Sequence, residues 1–291
     1  MFDTRRSANT GPCKEVPYRQ APGIGIRKRI LTGLLLCASA GAGQAAASNW
    51  AYISGDWNGD GITTPGLYNP TTSTFFLRSH NGTNGFDTIV RFGKSGWLPV
   101  VGDWNGDGTD TIGIYNPSNN RFFLRDLNSR GDSDRSFRFP GRPGIPIAGD
   151  WDGDGADTVG LYHPRTAIAD LGHSLSDDTT STKTRYGQLG WRPLVADWDG
   201  DGIDTLAVYN PATQRVFLRN SNAVGSKTEK SVRLKTQAET PYPFAGKWAN
   251  SGDAPGLGIF DRKTLLVSLL KQTGAASNIA PYKLLPRTCL L

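Results

Sequence analysis

A chain of 291 residues with 37% hydrophobic content can bury a core, and its 36 glycines, 18 prolines and 10% aromatic content suit short strands and tight turns better than helices. Of three cysteines, Cys13 and Cys37 lie in what reads as a removable leader; Cys289 is left alone, which excludes an intramolecular disulfide framework. The formal charge of +6 is concentrated in residues 1–47, with seven Lys/Arg against two Asp/Glu; the remainder holds 25 against 24 and no phosphate-tracking stripe, which excludes nucleic acid.

The leader comes first. Arg27-Lys28-Arg29 precede an apolar run, Ile30 to Cys37, and small residues follow to Ala45-Ala46-Ala47. A basic start, a short apolar stretch and an Ala-x-Ala ending read as a secretory signal over residues 1–47, cleaved near Ala47. The apolar run is short for a membrane span. The mature protein is therefore expected outside the cytoplasm, extracellular or periplasmic, with no transmembrane segment.

Beyond the leader the chain repeats. Gly55-Asp56-Trp57-Asn58-Gly59-Asp60-Gly61 recurs from Gly102, from Gly149 and, with Ala196 leading, through Gly202. The opening aspartates, Asp56, Asp103, Asp150 and Asp197, are spaced by 47 residues each time. A fifth, decayed copy begins Gly246-Lys247-Trp248. Downstream, Leu67-Tyr68-Asn69-Pro70 returns around Tyr115, Tyr162 and Tyr209, and Phe75-Phe76-Leu77-Arg78 returns at Phe122 to Arg125 and Val216 to Arg219. Each unit reads as four short strands; in the second these are Leu98 to Trp104, Thr111 to Tyr115, Arg121 to Arg125 and Ser136 to Phe139.

Four strands in about 47 residues make a propeller blade. The fold predicted is all-β: a propeller of five blades over residues 48–291, with units near 50–96, 97–143, 144–190, 191–240 and 241–286. Ring closure hides sheet faces and edges that a lone blade exposes. The tryptophan after each opening aspartate is assigned to packing between blades.

The acidic loops carry the chemistry. Oxygen side chains stand at loop positions 1, 3 and 5, with glycine at 6 for a sharp turn, which suits the hard-oxygen coordination of calcium. Position 12 holds Leu67, Ile114, Leu161 or Val208 where an EF-hand has glutamate, so the loop joins two strands. These units resemble the calcium-binding repeats of integrin-type propellers (FG-GAP and VCBS-like repeats), in the bacterial form GDWDGDG-x-DT-x-G-x-YNP. The resemblance covers nearly all of residues 50–286. It implies calcium ligands Asp56, Asn58 and Asp60; Asp103, Asn105 and Asp107; Asp150, Asp152 and Asp154; and Asp197, Asp199 and Asp201. The family loop closes with aspartate at position 9, where this chain has Thr64, Thr111, Thr158 and Thr205. Asp110, Asp157 and Asp204 stand at position 8 instead. Either they reach the ion through a shifted turn or a water, or coordination is incomplete. Unit five, with Lys247 and Ala249 in place of ligands, is expected to hold no ion.

Catalytic signatures are weak. No phosphate loop, dinucleotide fingerprint or zinc pattern appears. Gly172-His173-Ser174-Leu175-Ser176 lacks the last glycine of a nucleophile elbow, and it follows a stretch, Ala167 to Asp170, where unit three loses the Phe-Phe-Leu-Arg strand and is read as a loosened edge. The leading function is a secreted, calcium-binding, lectin-like adhesion module for carbohydrate or a surface protein. The alternatives are a secreted glycan hydrolase or lyase on the same scaffold, and a structural envelope protein. Trp97, Trp191, Arg192 and Tyr242, on the rim opposite the acidic loops, are the ligand-binding candidates. In the integrin-type propellers that this chain resembles, calcium and ligand also use opposite faces.

Overall fold

In the computed structural model, residues 50–82, 85–234, 236, 238, 241–248, 255–270 and 281–284 are described. The leader, Ala249 and Cys289 lie outside these residues. The described residues form twenty strands in five four-stranded antiparallel sheets. Blade one comprises β1 Ala51–Gly55, β2 Thr64–Asn69, β3 Thr74–Leu77 and β4 Thr88–Arg91. Blade two comprises β5 Leu98–Gly102, β6 Thr111–Asn116, β7 Arg121–Leu124 and β8 Arg135–Arg138. Blade three has β9 Ile145–Gly149, β10 Thr158–His163, β11 Ile168–Gly172 and β12 Ser181–Arg185. Blade four has β13 Arg192–Ala196, β14 Thr205–Asn210, β15 Arg215–Leu218 and β16 Lys230–Arg233. Blade five has β17 Pro241–Gly246, β18 Gly256–Asp261, β19 Leu266–Leu270 and β20 Tyr282–Lys283. The first strands touch in the order β1, β5, β9, β13, β17 and back to β1, which closes the ring. The fold is a five-bladed β-propeller.

Burial follows from this arrangement. A second strand is covered by a blade on each side, so β2, β6 and β14 are buried over their first five residues. Outer strands face solvent and bury about one residue in four, such as Val90 in β4. Five hydrophobic clusters fill the gaps between successive blades, and each takes one motif tryptophan: Trp57, Trp104, Trp151, Trp198 or Trp248. Trp104, 3% exposed, packs with Val100 and Phe122 of its own blade and Val159 and Leu161 of the next.

Two sequence expectations change. The first strand of unit two ends at Gly102, because Asp103 already belongs to the loop and Trp104 turns inward from it. The third strand of unit three is not loosened. β11 pairs with β10 and with β12 in regular register, because the ladder uses backbone groups that survive the change of side chains.

The arginines that follow β3, β7 and β15 are a feature that the sequence pattern does not explain. Arg78, Arg125 and Arg219 are 1%, 5% and 0% exposed. Arg125 donates to Asp132 O at 2.7 Å and to Ser129 Oγ at 3.2 Å; Arg78 donates to the carbonyls of Gly82 and Leu284. The Arg219 guanidinium lies 4.5 Å from the Tyr186 ring, and burial pulls its pKa down to about 10. These side chains tie loops and outer strands to the sheet.

Candidate metal loops and the inter-blade clasp

Each acidic loop is shaped by its own first aspartate. Asp103 Oδ1 accepts the N–H groups of Gly106 and Asp107 at 2.8 and 3.1 Å, and Oδ2 accepts that of Gly108 at 2.7 Å. Asp150 and Asp197 make the same three bonds, and Asp56 those from Asp60 and Gly61. The carboxylate at position 5 accepts the N–H two residues on: Asp60 from Ile62, Asp107 from Thr109, Asp154 from Ala156 and Asp201 from Ile203. Glycine is required at positions 4 and 6, where the backbone is left-handed, with φ of 71° at Gly106 and 87° at Gly108.

Carboxylate oxygens have lone pairs to spare after these bonds. In loop three one oxygen each of Asp150, Asp152 and Asp154 lies within 4.8 Å of the others, and Asp197, Asp199 and Asp201 do the same in loop four. Two oxygens bound to one calcium at about 2.3–2.6 Å each stand at most about 5 Å apart. The donor sets of loops three and four therefore fit the ion. In loops one and two the amide at position 3 donates to the carboxylate at position 5, Asn58 to Asp60 and Asn105 to Asp107, both at 3.0 Å. The Asn105 amide, with the Thr109 N–H, holds the Asp107 carboxyl below the usual range. An ion in these loops needs the amide turned to present its oxygen, and it gains one negative charge fewer.

The position-8 aspartates reach across to the preceding blade. Asp110 N donates to Asp56 O at 2.8 Å, while Asp110 Oδ2 accepts the Asp56 N–H at 2.7 Å. Asp157 clasps Asp103 in the same two-point way (2.7 and 2.9 Å), and Asp204 clasps Asp150 (2.7 and 3.1 Å). At ring closure Thr63 replaces the aspartate: its N–H donates to Lys247 O at 2.6 Å, and its Oγ1 accepts from Lys247 N at 2.9 Å. Each clasp thus grips the residue that opens the neighbouring loop. Close approach explains the glycine before it: a Cβ on Gly102 would lie 2.6 Å from Asp157 Oδ2 and 2.9 Å from the Trp104 ring. The position-9 threonines bond within their own blade, Thr111 and Thr205 donating to the carbonyls of Arg125 and Arg219 at 2.7 Å.

The clasps ring the mouth of an axial cavity of about 430 Å³, lined by Asp110, Asp157, Asp204, Thr63 and Lys247 among others. The three aspartates stay partly exposed, yet each sits between two packed blades. Burial pushes Asp110 up to about 7 and Asp204 up to about 6, the bonds from Asp56 and Asp150 opposing it in part. Burial, with the Asp110 and Asp204 charges, also raises Asp157 well above the usual range. A carboxyl raised in the fold holds its proton more tightly folded than unfolded, so it detracts from stability above its folded pKa. The penalty disappears as pH falls towards the unfolded value of about 4. The calcium-free protein should therefore melt at a higher temperature at pH 5.5 than at pH 7.5. A melting temperature that falls across that window contradicts this assignment.

The ligand candidates occupy the opposite rim, where the second-to-third strand turns and the inter-blade connections emerge. Arg192 and Tyr242 come together, with the guanidinium 5.4 Å from the ring. Trp97 and Trp191 stand in separate blades, each stacked on a phenylalanine of its own sheet: Phe123 at 4.9 Å and Phe217 at 4.8 Å. Lys94 lies 5.8 Å from the Trp97 ring. The Gly172 to Ser176 stretch opens a hairpin, where His173 bonds Thr180 and Thr182 at 3.1 and 2.8 Å, away from any strand-to-helix turn.

No family model matches the chain, and no curated protein does. Among solved structures it is similar to the BBS1 N-terminal region crystallised with ARL6 (11% identity over 81% of this chain and 68% of that one, TM-score 0.39). It is also similar to a Bacteroides caccae protein of unknown function (11%, 78% and 80%, TM-score 0.43). A third is an Agrocybe aegerita lectin that recognises non-reducing terminal N-acetylglucosamine (13%, 80% and 80%, TM-score 0.40). No helix among the described residues is long and apolar enough to cross a membrane.

Proposed function

We propose that the chain is a secreted, calcium-binding propeller of the FG-GAP/VCBS-like kind, acting as a binding or adhesion module for carbohydrate or a surface protein. The observation that carries this reading is that carboxylate oxygens of Asp150, Asp152 and Asp154, and likewise of Asp197, Asp199 and Asp201, gather within 4.8 Å of one another. Calcium held at position 1 braces the residue that the next blade clasps, so occupancy supports loop and ring together. Near-equivalent blades present repeated surfaces, which gain avidity when a partner is itself repetitive. A glycan array probed with the mature chain, with and without chelator, tests the module: calcium-dependent retention is expected, and absence of binding to glycans and to cell-surface protein counts against it.

The loops should differ in affinity. Loop three offers three carboxylates, whereas loop one offers two and an asparagine amide already turned to Asp60. More ligand charge tightens calcium binding. Asp150→Ala should therefore cost more calcium affinity by calorimetry than Asp56→Ala; the reverse order overturns this ranking.

A further inference from the structure

Blade three lacks an aromatic pair that three sibling blades share, and a cavity stands in its place. In blades one, two and four, a tryptophan ahead of or at the first strand packs on a phenylalanine of the third: Trp50 on Phe76 at 5.2 Å, Trp97 on Phe123 and Trp191 on Phe217. The corresponding residues of blade three are Gly144 and Asp170. A cavity of about 610 Å³ lies at this position on the rim opposite the acidic loops, lined by Arg142, His163, Arg165, Ile168, Asp170 and Lys183 among others. That volume is within the range of small-molecule sites.

The polar groups are built in together. Asp170 is 3% exposed, and its carboxylate accepts from Lys183 Nζ at 2.5 Å and pairs with His163 Nε2 at 3.0 Å. At these places the other aromatic-paired blades carry Phe for Asp170, Asn69, Asn116 or Asn210 for His163, and Ile89, Ser136 or Ser231 for Lys183. Asp170 is the buried member of this network, the Lys183 side chain being 66% exposed, and a buried charge stabilises a sheet no better than the aromatic stack it replaces. Its purpose is then to fix His163 and Lys183 at the cavity wall. Gly144 belongs to the same design, since a Cβ there would lie 3.1 Å from the His163 ring and 2.8 Å from Tyr162 O.

Charge and shape define the occupant. Three cations, Arg142, Arg165 and Lys183, face one carboxylate that is already paired. Arg142 and Arg165 are exposed and make no hydrogen bond or ion pair among the described residues. Ile168 and the neighbouring prolines give an apolar wall. We propose that this cavity binds a ring-bearing carboxylate. The guanidinium groups take the acid, and the ring fills the space that tryptophan and phenylalanine occupy in the sibling blades. The inference rests on the reading of the chain as a binding module and is independent of calcium.

Calorimetric titration of the mature chain with D-galacturonate, benzoate and neutral D-galactose tests it. At least one acid should bind tenfold or more tighter than D-galactose, and the stronger of the two identifies a sugar acid or an aromatic acid as the source. Arg142→Ala/Arg165→Ala should lose tenfold or more of that affinity at unchanged melting temperature, because both side chains are exposed. Asp170→Phe, which restores the sibling residue, should abolish binding. Acids that bind no tighter than D-galactose, or that bind these variants as well as the parent, overturn the inference. Acids that fail this test while the glycan array still records binding overturn this cavity and leave the module intact.

Discussion

Stripping calcium from the protein should lower its melting temperature by on the order of 10 °C, and adding calcium back should restore it. A native-state ligand at about 100 times its Kd adds about 2.7 kcal/mol per site. For a domain of this size each kcal/mol moves the melting temperature by about 2–4 °C. One saturated loop is thus enough for a shift of about 5–10 °C, and several add to it. The sign follows from crowding, since loops three and four each bring three carboxylates within 4.8 Å. Without a cation these like charges repel. A melt that does not move after exhaustive chelation contradicts the proposed metal sites.

Trp104→Ala should destabilise by about 3–5 kcal/mol, the cost of emptying a large buried aromatic site. Trp104 is 3% exposed between blades two and three, and its indole N–H makes no hydrogen bond, so the loss is one of packing. Trp97→Ala should cost much less, because that indole is only half buried and rests on Phe123 at the rim. Thermal melts of the two variants decide the matter. A larger drop for Trp97→Ala would mean that the tryptophans following the opening aspartates do not hold the blades together.

Much of the fold is legible in the sequence because one period governs everything. Spacing of 47 residues between Asp56, Asp103, Asp150 and Asp197 sets the blade length, and Asn-Pro turns such as Asn116-Pro117 mark strand ends. The loop ligands are legible for the same reason: alternation at positions 1, 3 and 5 is local. What the pattern hides is anything that crosses between units. Asp110 looks like a ligand of its own loop, yet its carboxylate is bonded to Asp56 N, 54 residues upstream, a pairing that only ring geometry creates. Ala167 to Asp170 reads as decay because hydrophobic alternation disappears there. Backbone pairing holds the strand regardless, and Asp170, the polar residue of the stretch, lines the cavity. A signal was available: Trp50, Trp97 and Trp191 keep a phase that skips residue 144, and Asp170 interrupts the Phe76, Phe123 and Phe217 series in the same unit. Paired losses in one repeat mark a place where the repeat serves something other than packing.

The most direct test of the central claim is calcium titration of the chelated, folded chain by isothermal calorimetry, read for stoichiometry. Saturable uptake of four ions per chain is predicted, one for each loop opened by Asp56, Asp103, Asp150 and Asp197, falling to three in Asp150→Ala. A chain that remains folded and takes up no calcium would contradict the account.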